Sequence, residues 1–147
     1  MSVESIDAAI DRIVQSYQRI AVVGLSPKLA RPSYRATLYM QQQGYLITPV
    51  NPQHSEILGE RCYPDLRSIP HPIEVVDLFQ RAENVAPFVE QAIEIGAKVI
   101  WMQLGIVNHA AAALAERAGL AVVMDRCMKI EHARLQRQGK TPPWQAH

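Results

Sequence analysis

The segment from Gly24 to Ser33 has the residue types and spacing of a phosphate-binding turn. Gly24 ends a short apolar run and permits a tight turn, and Lys28 and Arg31 then bring two positive charges near a helix start at Pro32. Helix N-terminal N–H groups and nearby cations are the groups that hold phosphates in proteins. Neither G-x-x-x-x-G-K-[ST] nor G-x-G-x-x-G is present. The segment therefore also fits a plain turn with solvent-facing bases.

Further candidate ligand contacts follow the later apolar runs. Pro49 stiffens the backbone beside Asn51, whose amide can both donate and accept hydrogen bonds, although Asn is also a common turn residue. A NAD-binding fold would carry an acidic residue here, and none is present. An NADP site could use a nearby Arg instead. The remaining candidates offer an aromatic face, amides, a cation that could equally flank a helix, and a turn glycine: Phe79, Gln80, Arg81, Gln103 and Gly105.

Cys127 is the one candidate for a reactive side chain. It follows Arg126 at the predicted start of a helix, where the dipole and the guanidinium would favour the thiolate. A half-buried structural Cys is the alternative interpretation. The other thiol, Cys62, is distant in sequence, so no disulfide scaffold or zinc motif is indicated. Because no His, Cys or carboxylate spacing forms a metal set or a nucleophile–base pair, we predict no metal site and no catalytic residue.

These candidates need a fold that brings several strand ends together. Apolar runs predict strands at 20–24, 45–50, 73–79, 98–102 and 120–124. Helical spacing, proline starts and glycine stops predict helices at 4–17, 32–44, 84–95, 108–119 and 127–137. This alternation predicts an α/β, Rossmann-like, doubly wound and mainly parallel five-stranded sheet with helices on both faces. Ligands of such sheets bind outside the carboxyl ends of the strands, where all the candidates would lie.

Length and composition fit one domain. The 147 residues predict a single Rossmann-type domain over 1–138, followed by a flexible tail over 139–147 that is rich in Gly and Pro. The amino-terminal stretch lacks the basic start and apolar core of a signal peptide, and no run is long enough to span a membrane. We therefore expect a cytoplasmic protein that does not act at a membrane.

The distribution of charge is more informative than its sum. A net charge of +1 argues against a nucleic-acid partner, which would require clustered Lys and Arg. No carboxylate occurs between Asp11 and Glu56, yet five basic residues do: Arg12, Arg19, Lys28, Arg31 and Arg35. The first strand–helix unit should therefore carry positive potential suited to a small anionic ligand.

Several motifs in the same order resemble the small bacterial CoA-binding-domain proteins, which are related to the CoA-binding part of the succinyl-CoA synthetase α subunit. The resemblance runs from about residue 15 to 136. It is carried by AVVGLS (21–26), RPSY (31–34), GYLITPVNP (44–52), LGERCYPDL (58–66), VVDLFQRAE (75–83), GAKVIWMQLG (96–105) and AGLAVVMDRCMKIEH (118–132).

The resemblance implies coenzyme A or an acyl-CoA lying across the strand ends. It implies phosphates near Gly24, Leu25, Ser26 and Lys28, adenosine near Pro49 and Asn51, and further contacts from Phe79, Gln80, Arg81, Gln103 and Gly105. The chain departs from the related proteins at Leu25 to Pro27, where the synthetase has a Gly-rich loop, at Asn51, where it has Lys, and at Gln80, where the family commonly has Arg.

The same resemblance bears on activity. The synthetase carries its phosphorylated His on a second domain that this sequence does not contain. We therefore expect a CoA-binding protein without complete catalytic machinery, acting as a homodimer or with a partner enzyme. Two alternatives remain: an NADP-dependent oxidoreductase, and a redox protein in which Cys127 forms a mixed disulfide with the CoA thiol.

Overall fold

Short apolar strands pair in parallel to form the central sheet of the computed structural model, which describes residues 4–145. In chain order the strands are β1 (Arg19–Val23), β2 (Leu46–Val50), β3 (Glu56–Ile57), β4 (Glu60–Arg61), β5 (Val75–Leu78), β6 (Val99–Met102) and β7 (Ala121–Val123). The sheet order is β2-β1-β5-β6-β7, and β3 and β4 form a separate antiparallel hairpin. The strand order reverses direction at β1 and β5, which is where ligands bind in open parallel sheets.

Helices begin where the sequence supplies a suitable first residue. They are α1 (Ile6–Ser16), α2 (Pro32–Gln42), α3 (Ala86–Glu94), α4 (His109–Arg117) and α5 (Met128–Arg137), with a 3₁₀ turn at Ala82–Asn84. The Ser5 hydroxyl accepts the Ala8 N–H at 3.1 Å, and the Asn108 side chain accepts the Ala111 N–H at 3.0 Å. These side chains satisfy amides that a helix start otherwise leaves unpaired.

Alternate residues of each strand point to opposite faces of the sheet and build two cores. One core contains Ile20 and Val22 of β1 packed with buried residues of α1, α2 and α5. The other contains Ala21 and Val23, packed with residues of α3 and α4. Since both faces are covered, the strands read as continuous apolar runs.

The predicted fold class is confirmed, and each predicted strand is found with its ends displaced by at most two residues. The β3–β4 hairpin was not predicted. Its strands have two residues each, and Leu58, with φ of 56°, occupies a left-handed turn position beside Gly59. Leucine is not a residue that signals such a turn, so the pattern gave no indication of it.

The carboxyl-terminal segment, which we predicted to be flexible, makes specific contacts as far as Gln145. The ring centroids of Trp144 and Tyr45 lie 5.2 Å apart in an edge-on arrangement. The Gln145 Oε1 lies 2.9 Å from the Nε2 of His132 in α5. The last two residues of the predicted tail, 146–147, lie outside the described residues. No helix within 4–145 is both long and apolar enough to cross a membrane.

Candidate functional site

A cavity of about 660 Å³ opens at the carboxyl ends of β1, β2 and β5. The loops after these strands form its walls, and Ile106, from the loop after β6, closes one side. Nine of the predicted ligand residues line it: Gly24, Leu25, Ser26, Lys28, Arg31, Asn51, Phe79, Gln80 and Arg81. The fold thus brings residues far apart in sequence to one concave surface of the size typical for small-molecule sites.

Backbone hydrogen bonds between strand ends form the floor of this cavity. The Gly24 N–H donates to the Val50 carbonyl at 3.1 Å, and the Phe79 N–H donates to the Val23 carbonyl at 2.9 Å. The three strands therefore continue their pairing to the point where their loops diverge. The lining residues of the three loops therefore begin directly after hydrogen-bonded strand ends.

The cavity wall after β1 ends at the N-terminus of α2. The α2 N-cap, Arg31, supplies no side-chain acceptor to the first-turn amides, and Pro32 at the first position has none to satisfy. The amides of Ser33 and Tyr34 come before the first intrahelical bond and have no partner within the helix. Arg31, Pro32 and Ser33 all line the cavity. A helix N-terminus facing a concave surface favours an anion there.

The cavity lining is positively charged. It contains Lys28, Arg31 and Arg81, together with His54, and no Asp or Glu. The seven ion pairs formed among residues 4–145 involve none of these three cations. These three cations, in the loops after β1 and β5, are well placed for a ligand with more than one phosphate.

Asn51 contributes to the shape of the cavity through its own hydrogen bonds. Its Nδ2 donates to the Leu25 carbonyl at 3.0 Å, and its Oδ1 accepts the Gln53 N–H at 2.9 Å. The loop after β1 is also held within itself, because the Ser33 hydroxyl accepts the Ser26 N–H at 3.1 Å. These bonds show that Asn51 holds the loop after β1 against the loop after β2.

Four predicted ligand residues do not line the cavity. Pro49 lies within β2, where its carbonyl accepts the Tyr63 N–H at 3.0 Å. The Gly105 N–H is occupied by a hydrogen bond of 2.7 Å to Asp125 Oδ1. Cys127 is half-buried at the N-cap of α5. The fourth, Gln103, is buried. Their positions close to the strand ends follow from the topology, but the directions of their side chains do not.

Gln103 is buried because it bonds to Asp77, a residue that we did not predict from the sequence. Asp77 lies in the middle of the central strand β5, is almost fully buried, and its Oδ1 accepts a hydrogen bond from Gln103 Nε2 at 2.5 Å. Burial raises the pKa of Asp77 to about 7, although the Gln103 bond opposes the shift. The signal available in the sequence was a lone carboxylate within the apolar run VVDLF.

The charge expected to act on Cys127 is engaged elsewhere. The Arg126 guanidinium lies 3.2 Å from Glu131 Oε1 and 3.7 Å from Asp7 Oδ1. The Arg126 charge is therefore shared with two carboxylates. Within residues 4–145, no group of three or more His, Cys, Asp or Glu side chains is arranged to hold a metal ion.

A second cavity of about 300 Å³ adjoins the first and shares Gly24, Asn51, Gln53 and Gln80 with it. The remainder of its lining is largely apolar: Val23, Val50, Pro52, Pro64 and Phe88. The two cavities together form a site with one charged part and one largely apolar part.

Comparisons with known proteins agree with this arrangement. A family model described as a CoA binding domain matches residues 18–133. The uncharacterized Bacillus subtilis protein YneT is 41% identical over 126 residues, which cover 86% of this chain and 93% of YneT. A solved structure of a hypothetical protein from Pyrococcus horikoshii is 42% identical, with a TM-score of 0.86, and the match covers 92% of this chain and 98% of that one.

A longer enzyme also contains a similar region. The ADP-forming acetate–CoA ligase II of Archaeoglobus fulgidus is 28% identical over 81 residues, which cover 54% of this chain but only 12% of the ligase. The match therefore concerns one part of a much larger protein.

Proposed function

We propose that this chain, which belongs to the CoA binding domain family, binds coenzyme A or an acyl-CoA in the strand-end cavity. The observation that carries the proposal is the charge of the lining, at the point where the strand order reverses. Among residues 4–145, its three cations belong to no ion pair and its lining contains no acidic residue. Coenzyme A has a pyrophosphate and a ribose phosphate, which match cations on two walls.

The α2 N-terminus, together with Lys28 and Arg31, is the best position for the pyrophosphate. Its unpaired amides and two cations act on the same part of the cavity. Arg81, on the wall after β5, would then meet a second phosphate. The adjoining apolar cavity would receive an uncharged part of the ligand, because burying a phosphate among Val50, Pro64 and Phe88 is unfavourable.

We propose further that the chain holds the ligand and leaves the chemistry to a partner. The two hydroxyls that line the cavity, those of Ser26 and Ser33, each accept a backbone N–H. A nucleophilic hydroxyl would need a neighbouring base to take its proton. The region similar to this chain is a small part of the acetate–CoA ligase, so the remainder of such a reaction would come from groups outside this domain.

Thermal unfolding with added ligands tests the proposal. A ligand that binds only the native state raises the melting temperature in a concentration-dependent way. We expect CoA and acetyl-CoA to do so, and calorimetric titration to give one site per chain. NADP is the most informative competitor, because it shares the adenosine and the phosphates. A rise with NADP and none with CoA would overturn the proposal in favour of a nicotinamide-dependent enzyme.

A further inference from the structure

Asp125 lies outside the cavity but is bonded to the loop that follows β6. Its Oδ1 accepts the Gly105 N–H at 2.7 Å, and its own N–H donates to the Ile106 carbonyl at 3.2 Å. Ile106 lines the cavity, whereas Asp125 and Gly105 do not. One residue of the loop after β7 therefore holds two consecutive residues of the neighbouring loop.

The backbone of Asp125 is held in an unusual conformation. Its φ of 59° is left-handed, and Leu58 is the other non-glycine residue with positive φ in the described chain. Asp tolerates this region better than most residues, but such conformations persist only where the surroundings impose them. Here Asp125 makes its two bonds, to Gly105 and Ile106, while in this conformation.

The loop held by Asp125 in turn holds the wall that carries Arg81. Asn108 ends this loop, and its Nδ2 donates to the Ala82 carbonyl at 2.8 Å. The same side chain caps α4 through the Ala111 N–H. Ala82 directly follows Arg81, which lines the cavity. Hydrogen bonds at the two ends of segment 105–108 thus connect Asp125, through the backbone of that segment, with the Arg81 segment.

We propose that Asp125 is a positioning residue of the ligand site, which fixes Ile106 directly and Arg81 by way of Asn108. The inference rests on the proposed function for its effect on CoA affinity. Its structural part, the bracing of residues 105–108, is independent of the ligand. The required group is a hydrogen-bond acceptor at position 125 and not a negative charge, since the partner is a neutral backbone amide.

Three substitutions separate these contributions in a calorimetric titration with CoA. Asp125→Asn keeps the acceptor and should bind CoA within about twofold of wild type. Asp125→Ala removes it and should weaken binding about 5- to 10-fold. Asp125→Gly also removes it but accepts the left-handed φ without strain, so it keeps the protein folded while affinity still falls. Equal losses for the Asn and Ala variants, or no loss for either Ala or Gly, would overturn the inference.

A double-mutant cycle tests the route through Arg81. If Asp125 acts by placing the guanidinium, the losses from Asp125→Ala and Arg81→Ala are not independent. The double variant should then bind CoA more tightly than the product of the two single losses predicts. If Asp125 does not act through Arg81, the fold-losses of CoA affinity from the two single variants multiply in the double variant. This outcome would contradict the inference.

Amide hydrogen exchange of the ligand-free protein gives the second readout. In Asp125→Ala the amides of Gly105 to Asn108 and of residues 81–84 should exchange faster, and in Asp125→Asn they should exchange as in wild type. If wild type fails to bind CoA but this pattern is found, the proposed function fails and the bracing by Asp125 stands. Unchanged exchange in Asp125→Ala would refute the bracing whether or not CoA binds.

Discussion

Gly24 and Phe79 meet so closely that no side chain fits between them: a Cβ at position 24 would lie 2.2 Å from the Phe79 carbonyl oxygen and 2.9 Å from the Gln80 Nε2. Gly24 also has a φ of 84°. The sequence suggested that this glycine serves a phosphate-binding turn. The structure shows a second reason for it, because the ends of β1 and β5 can approach each other only without a Cβ.

Gly24→Ala should therefore both destabilise the protein and damage the cavity floor. The left-handed φ costs Ala about 1 kcal/mol, and the clash with backbone adds about 1–3 kcal/mol, since the Phe79 carbonyl must move. Urea unfolding measures the free-energy loss, and CoA titration should show weakened binding.

Gly96→Ala is the matched control for this substitution. Gly96 has a φ of 76°, but its added Cβ would meet no atom within 4 Å. We expect only the conformational cost of about 1 kcal/mol and an unchanged CoA affinity. Equal losses of stability for the two variants would show that the contact between Gly24 and Phe79 has no energetic importance.

Removing a cavity cation should weaken the binding of CoA without affecting the fold. Arg31→Ala and Lys28→Ala each remove a charge-assisted contact, for which we expect about 5- to 30-fold weaker binding. Increasing the ionic strength should reduce the affinity of wild type more than that of either variant, because salt screens the interaction that they lack.

Arg117→Ala is the control for charge alone. Arg117 is exposed in the last turn of α4 and does not line the cavity. Its loss changes the net charge as much as Arg31→Ala does, and CoA affinity should remain close to wild type. If Arg117→Ala weakens binding as much as Arg31→Ala, the ligand responds to overall charge and the cavity is not its specific site.

The sequence was sufficient to predict the sheet because strand and helix patterns are local. Buried parallel strands such as Val99–Met102 are apolar on both faces, and glycine or proline marks their boundaries. Topology then places every loop after a strand at one edge of the sheet. The position of the cavity, and the residues from Gly24 to Arg31 in its wall, follow from this rule.

The directions of individual side chains could not be predicted in the same way. Gln103 and Gly105 follow a strand as ligand residues do, but each is bonded to a residue distant in sequence, Asp77 and Asp125 respectively. Such pairs depend on how neighbouring loops meet, which no spacing within one segment encodes. Asn51 is a related case, because we predicted a ligand contact or a turn residue there, and its amide is bonded to the backbone of Leu25 and Gln53.

The buried carboxyl of Asp77 predicts a stability that falls as the pH rises. Its folded-state pKa of about 7 lies above its ordinary value of 3.8, so the folded protein holds the proton more tightly than the unfolded chain does. Its contribution is fully present below about pH 4 and is lost as the pH rises through about 7. The Asp77→Asn side chain cannot ionise, so the variant does not lose stability as the pH rises. It should be about 2–4 kcal/mol more stable than wild type at about pH 8.

Urea unfolding of both proteins across this pH range measures the difference. The stability gain should shrink as the pH falls through about 7 and be smallest below about pH 4, where wild-type Asp77 is protonated in both states. An Asp77→Asn protein that is less stable than wild type at high pH would contradict the prediction. It would indicate that the charged carboxylate makes a favourable contact that Asn cannot replace.

His132 predicts the opposite pH dependence for the docking of the carboxyl-terminal segment. Its imidazole is buried, with Nδ1 2.8 Å from the Tyr39 hydroxyl and Nε2 2.9 Å from Gln145 Oε1. The Gln145 Nε2 donates to Gln136, so its Oε1 is an acceptor and the His132 Nε2 carries the proton. Nδ1 is then free to accept the Tyr39 O–H, and both bonds are made by the neutral imidazole.

Burial lowers the pKa of His132 below its ordinary value, although the Gln145 bond opposes the shift. The unfolded chain therefore takes up a proton first as the pH falls, and stability should decrease below about pH 6.5.

His132→Phe keeps an aromatic ring at this position but cannot titrate. It should be about 1–2 kcal/mol less stable than wild type near neutral pH, and this difference should narrow at about pH 5. Because Asp77 is common to both proteins, its effect cancels in the comparison. His109→Gln, which alters an exposed imidazole at the start of α4, is the control for losing a histidine outside this cluster. A stability difference between wild type and His132→Phe that stays constant from neutral to acidic pH would show that the bonds to Tyr39 and Gln145 do not depend on the neutral imidazole.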